Sequence, residues 1–237
     1  MKLISTLFLL FLVASCKKDK LEPKPANQSG VSGYTFQIFN SSNSVLPNNT
    51  INGLCFDNSQ QLWIATNKGL CKYNVGVLTA FDSSVFLFPS NVFNCVIADK
   101  IGNIWAGTNS GLLKFDGITF TEFNTSNSAI PANKIRSLAV DTNNVIWVGT
   151  FSGGGLARFD GSVWTSYTPA TSGLPNNSVG ALAIDNTNVV WIGTGGGLTK
   201  FDGTTWTTYF TGNSPLPNNN VYSIIFDSEN NLWVGTN

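Results

Sequence analysis

Asp185-Asn186-Thr187-Asn188-Val189-Val190-Trp191-Ile192-Gly193-Thr194 reads as an Asp-led turn running into a β-strand, and the chain repeats it. The Trp recurs at Trp63, Trp105, Trp147, Trp191 and Trp233, in steps of 42, 42, 44 and 42 residues. The Asp six positions earlier keeps the same beat, at Asp57, Asp99, Asp141, Asp185 and Asp227. Self-similarity at a period in the forties marks a repeat architecture, in which each unit buries its apolar faces only against its neighbours.

Around that stretch the repeat resolves into four short strands. Ser178–Ile184 is apolar and β-competent, and Val189–Thr194 follows the Asp-led turn. Gly195-Gly196-Gly197 breaks the chain before Leu198–Phe201, and Asp202-Gly203 signals a two-residue hairpin into the alternating strand Thr204–Tyr209. Phe115-Asp116-Gly117 and Phe159-Asp160-Gly161 repeat the hairpin signal, and Leu46-Pro47-Asn48-Asn49 and Leu174-Pro175-Asn176-Asn177 each open a first strand. Four strands per 40–45 residues make the blade of a β-propeller, so the expected fold is all-β, with four complete blades and a partial fifth. The first strands, as near-continuous apolar runs, are expected to be buried on both faces. Each Trp→Ala is expected to cost about 3–5 kcal/mol.

The pattern Asp-x-x-x-x-[Leu/Ile/Val]-Trp-[Ile/Val/Ala]-[Gly/Ala]-Thr, followed by Gly-Leu-x-x-[Phe/Tyr]-[Asp/Asn], resembles the two-component regulator propeller repeat over about residues 34–237. That resemblance implies an extracytoplasmic, ligand-sensing propeller like those of bacterial hybrid sensor kinases. The repeats also look somewhat like those of streptogramin lyase-type propellers, whose acid–base chemistry relies on His. A fold alone does not fix a function.

Charged residues are only 11% of the 237, and the formal net charge is zero, which argues against a nucleic-acid partner. With 42% apolar and 12% aromatic residues, the chain can fill a large core. It contains no His, which removes His bases, His metal ligands and Ser-His-Asp machinery from this chain. The expected protein is therefore non-catalytic, with no cofactor or metal.

The N-terminus supplies an address. Leu3–Val13 is an apolar run too short to span a membrane, and Leu12-Val13-Ala14-Ser15-Cys16 resembles the lipobox of bacterial lipoproteins. Residues 1–15 are expected to be a signal peptide, Cys16 the lipid-attachment site, 16–33 a flexible tether and 34–237 the propeller. The partners expected are the membrane, through lipidated Cys16, and a small glycan or peptide ligand or an envelope protein. Cys55 and Cys95 are expected to be small buried thiols rather than a bridge.

Tyr34–Phe39 matches a fourth strand, an offset that propellers use to close the ring. The expected total is 19 strands, either a piece of a larger propeller, such as a seven-bladed one, or an imperfectly closed five-bladed ring.

Loops from fourth to first strand and from second to third strand share one face of a propeller, the better binding candidate. Third in each first strand stand Asn52, Asn94, Arg136, Gly180 and Tyr222, a column that packing does not dictate. Asn52, Asn94, Arg136 and Tyr222, with Lys134 and Phe151 on the same face, are the ligand-binding candidates. The same column would equally suit the lining of a water-filled channel. The turn Asp residues are expected to bond turn amides rather than calcium. An interaction scaffold and the sensor region of a hybrid two-component receptor are the alternative functions.

Overall fold

The computed structural model describes residues 37–84 and 86–237. The expected signal peptide, Cys16, the tether and residues 34–36 lie outside them.

Each Asp-led turn builds its own hydrogen-bond set and delivers it to an indole. In the second blade, Asp99 Oδ1 accepts the backbone N–H of Ile101 at 3.1 Å and of Asn103 at 2.8 Å. Its Oδ2 accepts Asn103 Nδ2 at 2.6 Å and Trp105 Nε1 at 2.9 Å. The indole bond recurs at Trp63–Asp57 (2.9 Å), Trp147–Asp141 (3.3 Å), Trp191–Asp185 (2.9 Å) and Trp233–Asp227 (3.0 Å). The six-residue spacing read from the sequence is therefore the reach of a turn carboxylate to an indole on the strand that follows. The fourth residue of each turn is left-handed, at Gln60, Gly102, Asn144, Asn188 and Asn230, a conformation that Gly and Asn adopt most readily.

Eighteen strands form among the described residues. The first blade holds β1 (Ile51–Phe56), β2 (Leu62–Thr66), β3 (Gly69–Asn74) and β4 (Val77–Phe81); the second, β5 (Phe93–Ala98), β6 (Ile104–Thr108), β7 (Leu112–Phe115) and β8 (Phe120–Phe123). The third holds β9 (Ile135–Val140), β10 (Ile146–Thr150), β11 (Leu156–Phe159) and β12 (Trp164–Tyr167); the fourth, β13 (Val179–Ile184), β14 (Val190–Thr194), β15 (Gly197–Phe201) and β16 (Trp206–Tyr209). β17 (Val221–Phe226) and β18 (Leu232–Thr236) pair as the fifth. All pairs are antiparallel neighbours in sequence, so each of the first four blades is a four-stranded meander. Only the blade-one hairpin turns on two positive-φ residues, Val75 and Gly76. In the Asp-Gly hairpins only Gly117, Gly161 and Gly203 have positive φ, and the Asp instead accepts N–H groups two and three residues ahead.

The first strands of successive blades lie closest together, and each second strand also packs on the next first strand. They form the inner rim. The near-continuous burial expected of the first strands belongs instead to the second strands: β2, β6 and β10 are buried at every residue, whereas β1 alternates between half-buried and exposed. A second strand is flanked within its sheet on both sides and covered on both faces; a first strand is the sheet edge at the rim.

Three hydrophobic clusters fill the first three interfaces, centred on Trp63, Trp105 and Trp147. Each indole meets an aromatic ring of the following blade: Phe115 at 5.9 Å, Phe159 at 5.9 Å and Phe201 at 6.1 Å. Glycines make the approach possible. A Cβ on Gly107 would stand 2.6 Å from both Cys95 Sγ and Ile135 Cγ2. On the far face the turns clasp one another, with Asn144 Oδ1 accepting Lys100 N–H and Asn188 Oδ1 accepting Thr142 N–H, both at 2.7 Å. The five indoles occupy the same slot but not the same environment. Trp63, Trp105 and Trp147 are buried, Trp191 is half-buried and Trp233 is 63% exposed. The expected 3–5 kcal/mol cost therefore applies to the first three, not to Trp233.

No strand forms over 37–40, so eighteen rather than nineteen are seen among the described residues. Phe39 nevertheless packs at a tilt on Tyr73 with ring centres 5.5 Å apart, the contact that Phe81 makes with Phe115 and Phe123 with Phe159. It stands where the last aromatic of a preceding fourth strand would stand. Cys55, Cys71 and Cys95 are unbridged. Burial pushes their thiols up, to about 12, 11 and 12 respectively, so they are packing groups rather than nucleophiles.

Hydrogen bonds to the hairpin and turn carboxylates couple stability to pH. Backbone N–H groups ahead of Asp116, Asp160 and Asp202, helped by a neighbouring hydroxyl, hold all three below 3.8. The Trp233 indole, then the Asn231 N–H, lower Asp227 to about 2. Burial pushes Asp185 up, but bonds from Trp191, Thr187 and Val189 outweigh it and the net shift is down. A depressed carboxyl stabilises fully above its unfolded value and loses that contribution as pH falls through its folded one. The melting midpoint is therefore expected to hold between about pH 7 and 5 and to fall between about pH 4 and 2, as thermal melts across that range would show.

Candidate functional site

The variable column of the first strands proves to be a column of β-bulges. Register slips by one residue at the start of every first-strand pairing: between Ile51 and Gly53, Phe93 and Cys95, Val179 and Ala181, and Val221 and Ser223. In the third blade Thr150 pairs with Ile135 and Gly149 with Ser137. The residues skipped are Asn52, Asn94, Arg136, Gly180 and Tyr222. A bulged residue is released from the ladder and its side chain re-aimed. Here the bulges occupy the end of the inner rim where the fourth-to-first and second-to-third loops converge. Behind each of the first four bulges a buried Thr fixes the second-to-third loop: Thr66, Thr108, Thr150 and Thr194 Oγ1 donate to the O of Gly69, Gly111, Gly155 and Gly197 at 2.8–2.9 Å.

The candidates separate by what their side chains touch. Asn52 Nδ2 donates to Asn67 Oδ1 and to Phe93 O, both at 2.8 Å. Asn94 Nδ2 repeats this with Asn109 Oδ1 at 3.0 Å and Ile135 O at 2.9 Å. Both amides thus staple their blade to the next, a role that residue type alone did not reveal. Arg136 and Lys134 are exposed, and Lys134 Nζ lies 5.2 Å over the Phe151 ring while its carbonyl accepts Phe151 N–H at 2.9 Å. Phe151 is held out on a loop two residues longer than its counterparts, with positive φ at Ser152, Gly153 and Gly155.

Phe151 and Tyr222 line one cleft of about 290 Å³ at the mouth of blades three to five. Gly180, Gly195, Asn176 and Asn220 share the lining, which contains no charged residue. The structure thus brings Phe151 and Tyr222 to one place; Asn52, Asn94, Lys134 and Arg136 lie outside that lining. Tyr222 is 53% and Phe151 38% exposed, which leaves both rings free to stack on a ligand. Gly180, noted as part of the column but not as a candidate, and Gly195, Asn176 and Asn220 are the lining residues that sequence reasoning passed over. Their signal was a pair of glycines where blades one and two hold Asn.

The turn Asp residues on the opposite face spend both oxygens on turn N–H groups, indoles and neighbouring amides. Among the described residues no group of His, Cys, Asp and Glu is arranged to hold a metal ion.

Five segments, 45–68, 87–110, 129–152, 173–196 and 215–237, match the model of the two component regulator propeller. No curated protein matches the chain. Among solved structures, the chain is similar to the extracellular domain ascribed to the hybrid two component system BT4673 from B. thetaiotaomicron. Identity is 25% and the TM-score 0.65, over 79% of this chain and 26% of that one. The corresponding domain of BT3049 from B. thetaiotaomicron aligns at 22% identity and TM-score 0.55, over 79% of this chain and 32% of that one. This chain therefore spans about a quarter to a third of those domains. A catalytically inactive, His-to-Ala form of virginiamycin B lyase from Staphylococcus aureus, solved with Quinupristin, aligns at 15% identity and TM-score 0.63. That alignment covers 78% of this chain and 62% of the lyase, and shows a shared fold alone.

Proposed function

Because this chain belongs to the two component regulator propeller family, we propose that it is a sensor-type, non-catalytic propeller. It acts outside the cytoplasm and takes a neutral glycan or peptide ligand in the cleft between Phe151 and Tyr222. The observation that carries this reading is the cleft itself: two partly exposed aromatic residues share its lining with amides and glycines, and the lining holds no ionised group. Aromatic faces and amides suit uncharged polar ligands, which stack and exchange hydrogen bonds. Extracellular sensor domains among the similar structures support the compartment and the role. The sequence holds no His, which supports binding over His-dependent acid–base turnover.

A thermal-shift screen of glycans and short peptides would identify ligands. Tyr222→Ala and Phe151→Ala are each expected to weaken a hit at least tenfold, about 1.4 kcal/mol, while leaving the melting midpoint of the free protein nearly unchanged. Undiminished affinity in both variants would remove the cleft from the account.

The same reading includes a lipid anchor at Cys16, on the strength of Leu12-Val13-Ala14-Ser15-Cys16 and the polar run that follows. Detergent phase partitioning is expected to place the cell-expressed protein in the detergent phase and Cys16→Ser in the aqueous phase; equal partitioning would exclude the anchor.

A further inference from the structure

The cleft lies where the carboxamide pair of blades one and two is replaced in blade four by glycines. In blade one the bulge amide of Asn52 meets Asn67 across the rim, and in blade two Asn94 meets Asn109. The blade-four counterparts, after the same bulge and the same buried Thr, are Gly180 and Gly195. Two facing carboxamides are thus replaced by two hydrogens, and the space they would fill opens to solvent between Phe151 and Tyr222.

The deletion leaves the receiving groups in place. Phe93 O and Ile135 O each take an N–H from the bulge Asn of the preceding blade. Their counterpart is Val221 O, 3.1 Å from where a Gly180 Cβ would stand, and no side chain among the described residues donates to it. A carbonyl has a second lone pair to offer even when the ladder uses the first. Beside Gly195, Asn176 Oδ1 and Asn220 Oδ1 both stand 3.5 Å from the Cβ position. Asn176 Oδ1 accepts Ser178 N–H at 2.8 Å, whereas the Asn220 carboxamide makes no hydrogen bond among the described residues.

We propose that the cleft binds a ligand through a neutral primary carboxamide, which takes the place of the pair deleted at Gly180 and Gly195. Resting on the cleft reading above, the proposal adds the chemistry of the group bound. The carboxamide NH₂ donates to Val221 O and Asn176 Oδ1, and its oxygen accepts from Asn220 Nδ2, whose amide turns to present it. Converging acceptor oxygens disfavour a carboxylate. The cleft holds no anion to neutralise an ammonium, and Lys134 Nζ lies over Phe151 at its edge.

The test is an NMR titration of the full chain with acetamide, acetate, methylammonium and methanol. Acetamide is expected to give saturable shifts at the Gly180, Gly195 and Val221 amides, at least tenfold tighter than the other three. Gly180→Asn with Gly195→Asn rebuilds the blade-one pair and is expected to abolish those shifts. Should the double variant fail to fold, Gly195→Asn alone, whose Cβ meets only ordinary 3.5 Å contacts, is expected to block acetamide. The proposal is overturned if acetamide gives no saturable shift, if methanol or an ion binds as well, or if the folded Asn variants still bind it. If acetamide fails while Tyr222→Ala still weakens a screened ligand, the cleft stands and the carboxamide assignment falls.

Discussion

Trp105→Ala should lower the folding free energy by about 3–5 kcal/mol, and Trp233→Ala by no more than about 1 kcal/mol. The two residues hold the same strand position and each bonds the Asp six residues before it, so the difference isolates packing. Trp105 is 2% exposed; its ring stacks on Phe123 of its own blade at 5.7 Å and meets Phe159 of the next at 5.9 Å. Truncation leaves a cavity between blades two and three that a rigid sheet pair cannot close. Trp233 is 63% exposed, and its removal opens nothing. Urea denaturation of both variants, followed by circular dichroism, would compare them. Equal losses would mean that the repeat position, rather than burial, sets the cost.

Asp99→Ala should cost nearly as much, about 3 kcal/mol, because it strands donors in a dry site. Asp99 is 2% exposed, and its two oxygens serve the N–H groups of Ile101 and Asn103, the Asn103 amide and the Trp105 indole. An unsatisfied buried donor costs about 1–3 kcal/mol, and the Asn103 side chain is itself only 9% exposed. Asp99→Asn keeps one acceptor oxygen and should retain part of the loss. In a Trp105→Phe background the Asp99→Ala penalty should shrink, since the indole donor is gone. Full additivity of the two changes, measured by denaturant unfolding, would sever the proposed coupling.

Much of this was written plainly in the chain. The repeat period gave the blade, and the strands expected from residue type over Ser178–Ile184 and Val189–Thr194 each begin one residue later, at Val179 and Val190. The pairing of Asp with an indole six residues later was visible as a spacing, but its meaning was not, because a turn Asp already has a sufficient local reason to be there. The face carrying the cleft followed from loop connectivity. The residues lining it did not, except Phe151 and Tyr222. Asn52 and Asn94 look like recognition amides in sequence; the carbonyls they bind, Phe93 O and Ile135 O, belong to the following blade and carry no side-chain signature. Glycine has the opposite difficulty. Gly107 and Gly149 admit a neighbouring strand, whereas Gly180 and Gly195 leave room for something else, and a sequence spells all four alike.

The Asp–indole bond also makes each turn self-contained. Its partners stand six residues apart in all five repeats, and at Trp233, 63% exposed, the bond to Asp227 still forms at 3.0 Å. The indole donor is thus answered without a neighbouring blade, so a repeat can be inserted or exchanged in such an array without re-matching that N–H.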